Sequence, residues 1–172
     1  MIIRSATEED CRAIATVQVN SYRTAYASLM PAEYLAAFSI DEQEQDWITL
    51  LRAGRELLLV AQNDEGQVIG YALSKRTAKE EQGYDCELVA MHINRDFHRQ
   101  GAGRLLLAET ARRMHTLGCR SLGLWVLDGN PACGFYEHLG GMAHGEQFFE
   151  IAEFNLRRRV VGYLWEHIED LF

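Results

Sequence analysis

One short segment has the composition of a binding site for a phosphate-rich anion. Residues 98–104 read His-Arg-Gln-Gly-Ala-Gly-Arg and lie between a predicted strand and a predicted amphipathic helix. Their backbone N–H groups therefore lie at a helix N-terminus, where anions bind. Gly101 and Gly103 let the backbone approach a pyrophosphate closely, and Arg99 and Arg104 can add positive charge. The alternative is a plain glycine-containing loop before a helix.

Two familiar nucleotide-binding loops are excluded by the residues present. Position 106 is Leu106 rather than the third glycine of a dinucleotide loop. No Gly-Lys-Ser/Thr follows the glycines, as a Walker A loop would require. The segment therefore belongs to another kind of anion site.

A second block lies downstream of this loop. Residues 124–130 read Leu-Trp-Val-Leu-Asp-Gly-Asn, and residues 134–141 read Gly-Phe-Tyr-Glu-His-Leu-Gly-Gly. Together with the loop, they resemble the GNAT superfamily of N-acetyltransferases. That family's pyrophosphate loop reads Arg/Gln-x-x-Gly-x-Gly/Ala, and its later motif reads Asn, a gap, then Phe-Tyr-x-x-x-Gly. His98 departs from the pattern, and it is either a phosphate contact or a structural residue.

The resemblance extends over essentially the whole chain and implies acetyl-CoA as cosubstrate, with no metal. By that resemblance, strand backbone at residues 91–93 contacts the pantetheine arm, residues 99–104 hold the pyrophosphate, and Asn130 lies near the pantetheine amides. The implied acetyl-CoA contacts are Met91, His92, Ile93, Arg99, Gln100, Gly101, Ala102, Gly103, Arg104, Asn130 and Tyr136.

The resemblance also implies two catalytic residues. Tyr136 corresponds to the family's tyrosine that protonates the departing CoA thiolate. Without the resemblance, Tyr136 reads as an aromatic side chain packed beside Phe135. Glu87 is the candidate general base that takes a proton from the amine, because many relatives carry a carboxylate at the start of this strand. It can equally be a charge at an exposed strand end.

Other candidates for the base remain open. Some relatives carry a glutamate five residues before the Asn motif, but this position is Trp125. His92, Asp128 and Glu150 are the reserves, and a strand histidine is more often structural than catalytic.

Apolar periodicity and turn residues indicate the elements that position these side chains. Strands are predicted at residues 2–4, 56–62, 67–74, 85–94, 121–127, 142–149 and 157–165, with a charged loop at 79–83. Helices are predicted after Thr7, near Ala32, from Asp41 to Ala53, at 101–117 and at 131–139. In the helix predicted at 101–117, the buried face consists of Leu107, Ala111 and Met114. The predicted fold is α/β (α+β): a GNAT-like, mostly antiparallel sheet of about seven strands flanked by helices, with one parallel pair splayed around the acetyl-CoA site.

Length and charge set further limits. The 172 residues predict a single domain, and a net charge of -8 argues against nucleic acid as a partner. The four cysteines show no metal-ligand spacing. No apolar run has the length of a signal peptide or a membrane span, so we expect no membrane partner and a cytoplasmic location.

The predicted function is acetyl transfer from acetyl-CoA to a primary amine of a small molecule or peptide, by direct attack on the thioester. Tyr22, Tyr26, Tyr34, Phe38 and Trp47 either wall an acceptor pocket or pack in the core. Polyamines are one candidate class of acceptor. The alternative function is a non-catalytic acetyl-CoA sensor or regulatory module. A homodimer is compatible with exposed edges near the C-terminal strands.

Overall fold

The computed structural model describes residues 1–172, except for the side chain of Glu80. The helices are α1 (Cys11–Ala25), α2 (Ala32–Ala36), α3 (Ile40–Ala53), α4 (Lys79–Gln82), α5 (Ala102–Thr116) and α6 (Ala132–His138). The strands are β1 (Ile2–Ser5), β2 (Leu57–Gln62), β3 (Val68–Arg76), β4 (Cys86–Ile93), β5 (Leu122–Leu127), β6 (Met142–Ile151) and β7 (Leu156–Trp165). Within this described chain, no helix combines the length and the apolar character that crossing a membrane requires.

The strands form one sheet in the order β1-β2-β3-β4-β5-β7-β6. Neighbouring strands are antiparallel, except that β4 and β5 are parallel. Helix α5 connects this parallel pair, since parallel neighbours need a crossover connection. The predicted mixed sheet with one parallel pair is confirmed.

The parallel pair is joined only at its beginning. Two pairs of residues are in register, Cys86 with Leu122 and Glu87 with Gly123, and beyond them the strands separate. Strand β4 is also irregular on its other side, where Val89 has no register partner between Leu73 and Ser74 of β3. A bulge of this kind bends a strand. The predicted splay between the two strands is therefore present.

Each face of the sheet carries its own apolar core. On one face, α5 contributes Leu107, Ala111 and Met114, which are buried as predicted, against strand residues such as Leu122. On the other face, α1 and α3 pack against β2 and β3. There, the indole Nε1 of buried Trp47 donates a 2.7 Å hydrogen bond to Gln18. The two helical layers fix the sheet in place from both sides.

The prediction of a loop at 79–83 is wrong. Residues Lys79–Gln82 form the short helix α4, and the Gln82 N–H donates to the Ala78 carbonyl at 3.1 Å. Lysine, glutamate and glutamine are good helix formers, which favours one turn here despite the high charge. Gly83, with φ +80°, then ends the helix.

Gly123 is a point of close contact beside the splay. A Cβ at this position would lie 2.2 Å from the Tyr84 ring. We expect Gly123→Ala to lower the free energy of unfolding by about 1–3 kcal/mol through overpacking. The measurement is urea unfolding, with Gly134→Ala as the control, because a Cβ on Gly134 meets nothing within 4 Å. Equal unfolding midpoints for the two variants would contradict this prediction.

Candidate active site

A cleft of about 1250 Å³ opens where β4 and β5 separate. Its walls come from α1 and α2 on one side, from the loop before α5 and from α6 on the other, and from the two strands between them. The β5-facing edge of β4 has no strand partner after Glu87. Backbone N–H and C=O groups of residues 88–93 along this edge can therefore pair with an extended ligand.

The loop before α5 turns its backbone N–H groups toward one side. Arg99 and Gly101 both adopt left-handed conformations, with φ values of 60° and 86°, and Gly101 is the residue that caps α5. Left-handed residues at a helix start form a concave set of N–H donors, and the helix dipole adds partial positive charge. Arg95, Arg99 and Arg104 also line the cleft here. This end of the cleft suits a pyrophosphate.

Side chains hold this loop in place. The His98 Nε2 atom lies 2.9 Å from the Ile93 carbonyl oxygen, and the Gln100 amide donates to the Asp96 carbonyl at 3.0 Å. His98 thus has a structural contact, although it also lines the cleft. Gly103 has a separate role, since a Cβ there would lie 3.3 Å from the Phe135 ring of α6.

Most of the predicted acetyl-CoA contacts meet in this one cleft. The predicted residues that line it are Met91, His92, Ile93, Arg99, Gly101, Gly103, Arg104, Asn130 and Tyr136. Two others do not line it. The Gln100 side chain bonds within its own loop, and Ala102 is buried against Ala61 and Ile69. The roles of these residues toward acetyl-CoA stay predictions.

Tyr136 lies on α6 at the wall of the cleft, with 6% of its surface exposed. Its ring packs edge-on against Phe135 at 5.3 Å and at a tilt beside Tyr163 at 6.0 Å, measured between ring centroids. Burial, with Tyr26 and Cys133 nearby, raises the pKa of Tyr136 well above its usual value. The hydroxyl therefore keeps its proton at neutral pH, so it is in the form that can donate a hydrogen bond or a proton to a thiolate developing beside it.

Asn130 lies between the end of β5 and the start of α6. Its side-chain oxygen accepts a 2.9 Å hydrogen bond from the Ala132 N–H, at the start of α6, and the residue is 8% exposed. The contact fixes the beginning of the helix that carries Tyr136. Asn130 consequently has a positioning role at the start of α6.

The ring of His92 packs among three tyrosine side chains on the α1 side of the cleft. Its ring centroid lies 5.3 Å from that of Tyr22, 6.3 Å from Tyr26 and 5.5 Å from Tyr71. Burial lowers the pKa of His92 to about 4. The imidazole is therefore neutral at neutral pH, and it is a weak proton acceptor there.

The three carboxylates considered as bases lie outside the lining of the cleft. Glu87 approaches Lys75 at 3.6 Å and has 19% of its side chain exposed. Asp128 pairs with Arg159, and Glu150 pairs with Arg157. Of the four candidate bases, His92 is the one that reaches the cleft.

Several lining residues escaped the sequence analysis. They come from distant parts of the chain, and examples are Phe97 in the loop, Phe149 on β6 and Val160 on β7. Strand alternation alone shows which residues share a face, but it does not show which strand lies beside which. The register of Val160 beside Leu127 is what brings β7 to this cleft.

Among the residues that the structure describes, no group of three or more His, Cys, Asp or Glu side chains is arranged to hold a metal ion.

Comparison with known proteins identifies the class of the molecule as an acyltransferase. The chain belongs to the acetyltransferase (GNAT) family, whose model matches residues 19–141. Acetyl-CoA is the cosubstrate that this family membership assigns to it. The predictions of the family and of an acyltransferase are confirmed.

One relative is similar over nearly its whole length. YuaI of Bacillus subtilis (strain 168), described as an uncharacterized N-acetyltransferase, is 36% identical over 169 residues, which make up 98% of this chain and 95% of that protein.

Solved structures share the fold at lower identity. Ribosomal-protein-alanine N-acetyltransferase from Brucella melitensis has a TM-score of 0.74 at 23% identity, covering 96% of this chain and 99% of that one. The paia N-acetyltransferase from Thermoplasma acidophilum, in complex with coenzyme A, has a TM-score of 0.73 at 19% identity, covering 94% and 96%.

The low pKa of His92 links stability to pH. The neutral form is favoured in the fold, so the stabilisation is complete above the unfolded-state pKa of 6.5 and is lost as the pH falls toward about 4. We expect wild type to lose roughly 2–3 kcal/mol more of its free energy of unfolding than His92→Gln between pH 7.5 and pH 4.5. Urea unfolding at both pH values measures this difference, and equal losses would contradict the prediction.

Proposed function

We propose that the protein transfers the acetyl group of acetyl-CoA to a primary amine by direct attack of the amine nitrogen on the thioester carbonyl. The observation that carries the proposal is the cleft between β4 and β5. It joins an anion-binding helix start, an unpaired strand edge and a buried tyrosine in one continuous space. These three features meet the needs of a pyrophosphate, of pantetheine amides and of a leaving thiolate.

The phosphate groups of acetyl-CoA occupy the loop before α5 in this proposal. Arg99 and Arg104 stand beside backbone N–H groups whose geometry is set by Gly101. Charge-assisted hydrogen bonds of this kind are stronger than neutral ones. The pantetheine arm then runs along the unpaired edge of β4, and its amides bond with backbone groups of residues 91–93. This placement brings the thioester to the separated ends of β4 and β5.

The chemical step forms one bond and breaks another. The neutral amine nitrogen attacks the carbonyl carbon and gives a tetrahedral intermediate, whose collapse breaks the C–S bond. The Tyr136 hydroxyl gives its proton to the departing sulfur, so that CoA leaves as a thiol. Tyr136 then recovers a proton from the nitrogen, directly or through water. The products are the acetamide and CoA.

The amine must be neutral before it attacks, because an ammonium has no lone pair. None of the carboxylates considered as bases lines the cleft, and His92 is only a weak proton acceptor. Apolar surroundings lower the pKa of a bound amine, because they disfavour its charged form. We therefore propose that the ammonium proton leaves to water in the cleft rather than directly to Glu87.

Tyr136→Phe tests the acid. We expect kcat to fall by about 10²–10⁴-fold, since the phenol is the proton donor, while the Kd for acetyl-CoA stays within about twofold. The measurement is thiol release from acetyl-CoA with an acceptor amine, corrected for the protein's own cysteines.

The matched control for this test is Tyr163→Phe. Tyr163 lies beside Tyr136, but its hydroxyl donates to Glu137 at 2.7 Å and the residue does not line the cleft. A similar loss of kcat in the two variants would show that Tyr136 is not the acid.

Tight acetyl-CoA binding without turnover of any amine would instead favour the alternative function, a non-catalytic acetyl-CoA sensor.

Glu87→Gln tests the base. Because Glu87 pairs with Lys75 outside the cleft, we expect kcat/KM to change by less than about threefold. The measurement is a pH profile of kcat/KM for wild type and variant. A fall of about 100-fold or more, together with loss of the acidic limb, would assign the base to Glu87 after all.

A further inference from the structure

The side of the cleft toward α1 and α2 is uncharged. Tyr22, Tyr26 and Tyr34 line it, and Trp125 of β5 and Phe149 of β6 add two further rings to the lining of the cleft. Met30, Leu127 and Val160 add aliphatic surface. Among the described residues that line the cleft, none is an aspartate or a glutamate. The basic side chains lie at the other end, around the loop before α5.

Three carboxylates on β6, on α6 and just after β5 already have partners. Asp128 and Glu146 both pair with Arg159 at 3.0 Å, and Glu137 accepts a hydrogen bond from Tyr163. Each of these carboxylates is therefore already engaged by a side chain of the protein. The net charge of the whole chain therefore says nothing about the charge of this wall.

The tyrosines on this side of the cleft pack edge-on against one another and against two phenylalanines. The Tyr22 ring meets Tyr26 and Phe38 edge-on, with centroids at 5.2 Å and 4.9 Å. Tyr34 meets Phe38 and Phe154 in the same way, at 5.3 Å and 5.7 Å. Burial raises the pKa of Tyr22, Tyr26 and Tyr34. These hydroxyls are neutral at neutral pH, so they supply hydrogen bonds and ring faces but no negative charge.

Taking the proposed acetyl transfer as given, we propose that the acceptor is a monoamine with an aromatic or similarly apolar group and no second cation, bound on the α1 and α2 side of the cleft. Aromatic and aliphatic walls favour such a group through burial and ring packing. Rings can also hold the single ammonium before it loses its proton. A second ammonium finds no carboxylate among the described lining residues, so it must stay solvated or give up hydration for ring contacts alone. The wall thus selects against polyamines.

Three amines form the first test. 1,4-Diaminobutane has one more ammonium group than butylamine, and 2-phenylethylamine carries a phenyl ring in place of the terminal ethyl group of butylamine. We expect kcat/KM to be highest for 2-phenylethylamine and more than about tenfold lower for 1,4-diaminobutane than for butylamine. A value for 1,4-diaminobutane equal to or above that for butylamine would overturn the proposed acceptor class and leave acetyl transfer standing.

Binding measured by calorimetry on the protein saturated with CoA separates the two proposals. Tighter binding of 2-phenylethylamine than of 1,4-diaminobutane supports the acceptor site even when no amine is acetylated. Absence of turnover would then count against acetyl transfer alone. Equal or weaker binding of 2-phenylethylamine would overturn the acceptor site.

A pair of threonines offers matched variants. Thr24 of α1 and Thr49 of α3 are both exposed, and each hydroxyl donates at 2.9 Å to the carbonyl four residues earlier, but only Thr24 lines the cleft. We expect Thr24→Glu to narrow the preference for butylamine over 1,4-diaminobutane by at least about threefold, because it supplies the missing carboxylate. Thr49→Glu should leave the preference unchanged. Equal effects of the two substitutions would overturn the placement of the acceptor beside α1.

Discussion

The separation of β4 from β5 is the constraint on which the rest of the structure depends. Two register pairs, at Cys86 and Glu87, hold the strands together, and every later residue of β4 is free on that side. The close packing of Tyr84 over Gly123 fixes the strands at the point where they part. Because α5 follows β4 and α6 follows β5, the same separation places two helix starts at the cleft. The loop before α5 and Tyr136 are positioned by it.

Charge is divided along the cleft rather than spread evenly. Arginines gather at the loop before α5, where backbone N–H groups already favour an anion, while the wall toward α1 carries neutral rings. The chain as a whole has a net charge of -8, but none of the described residues that line the cleft is an aspartate or a glutamate. Overall composition is therefore a poor guide to the charge of the site, because only a small part of the chain lines the cleft.

Local patterns predicted much of the fold and part of the site. The buried face of α5 follows from its helical spacing, and the loop at residues 98–104 follows from its glycines and its place before a helix. The location of Glu87 outside the cleft did not follow from the alternation of residues along β4. Leu88 and Met91 pack in one core although they are three residues apart, because the extra residue Val89 shifts the alternation along β4. A single bulged residue leaves no mark in the sequence, and neither does the contact of β7 with the cleft.

The open edge of β4 has a consequence for how the chain avoids other chains. A strand edge with free N–H and C=O groups is a template for pairing with a strand of another molecule, and proteins usually protect such edges with charge, proline or an added cover. Here the edge lies inside the molecule, between walls built by α1 and α2 on one side and by α5 and α6 on the other. A slender, extended molecule can enter that gap, whereas a polypeptide strand with side chains on both faces would meet the helices. The fold thus keeps a hydrogen-bonding edge open to a ligand while shielding it from aggregation.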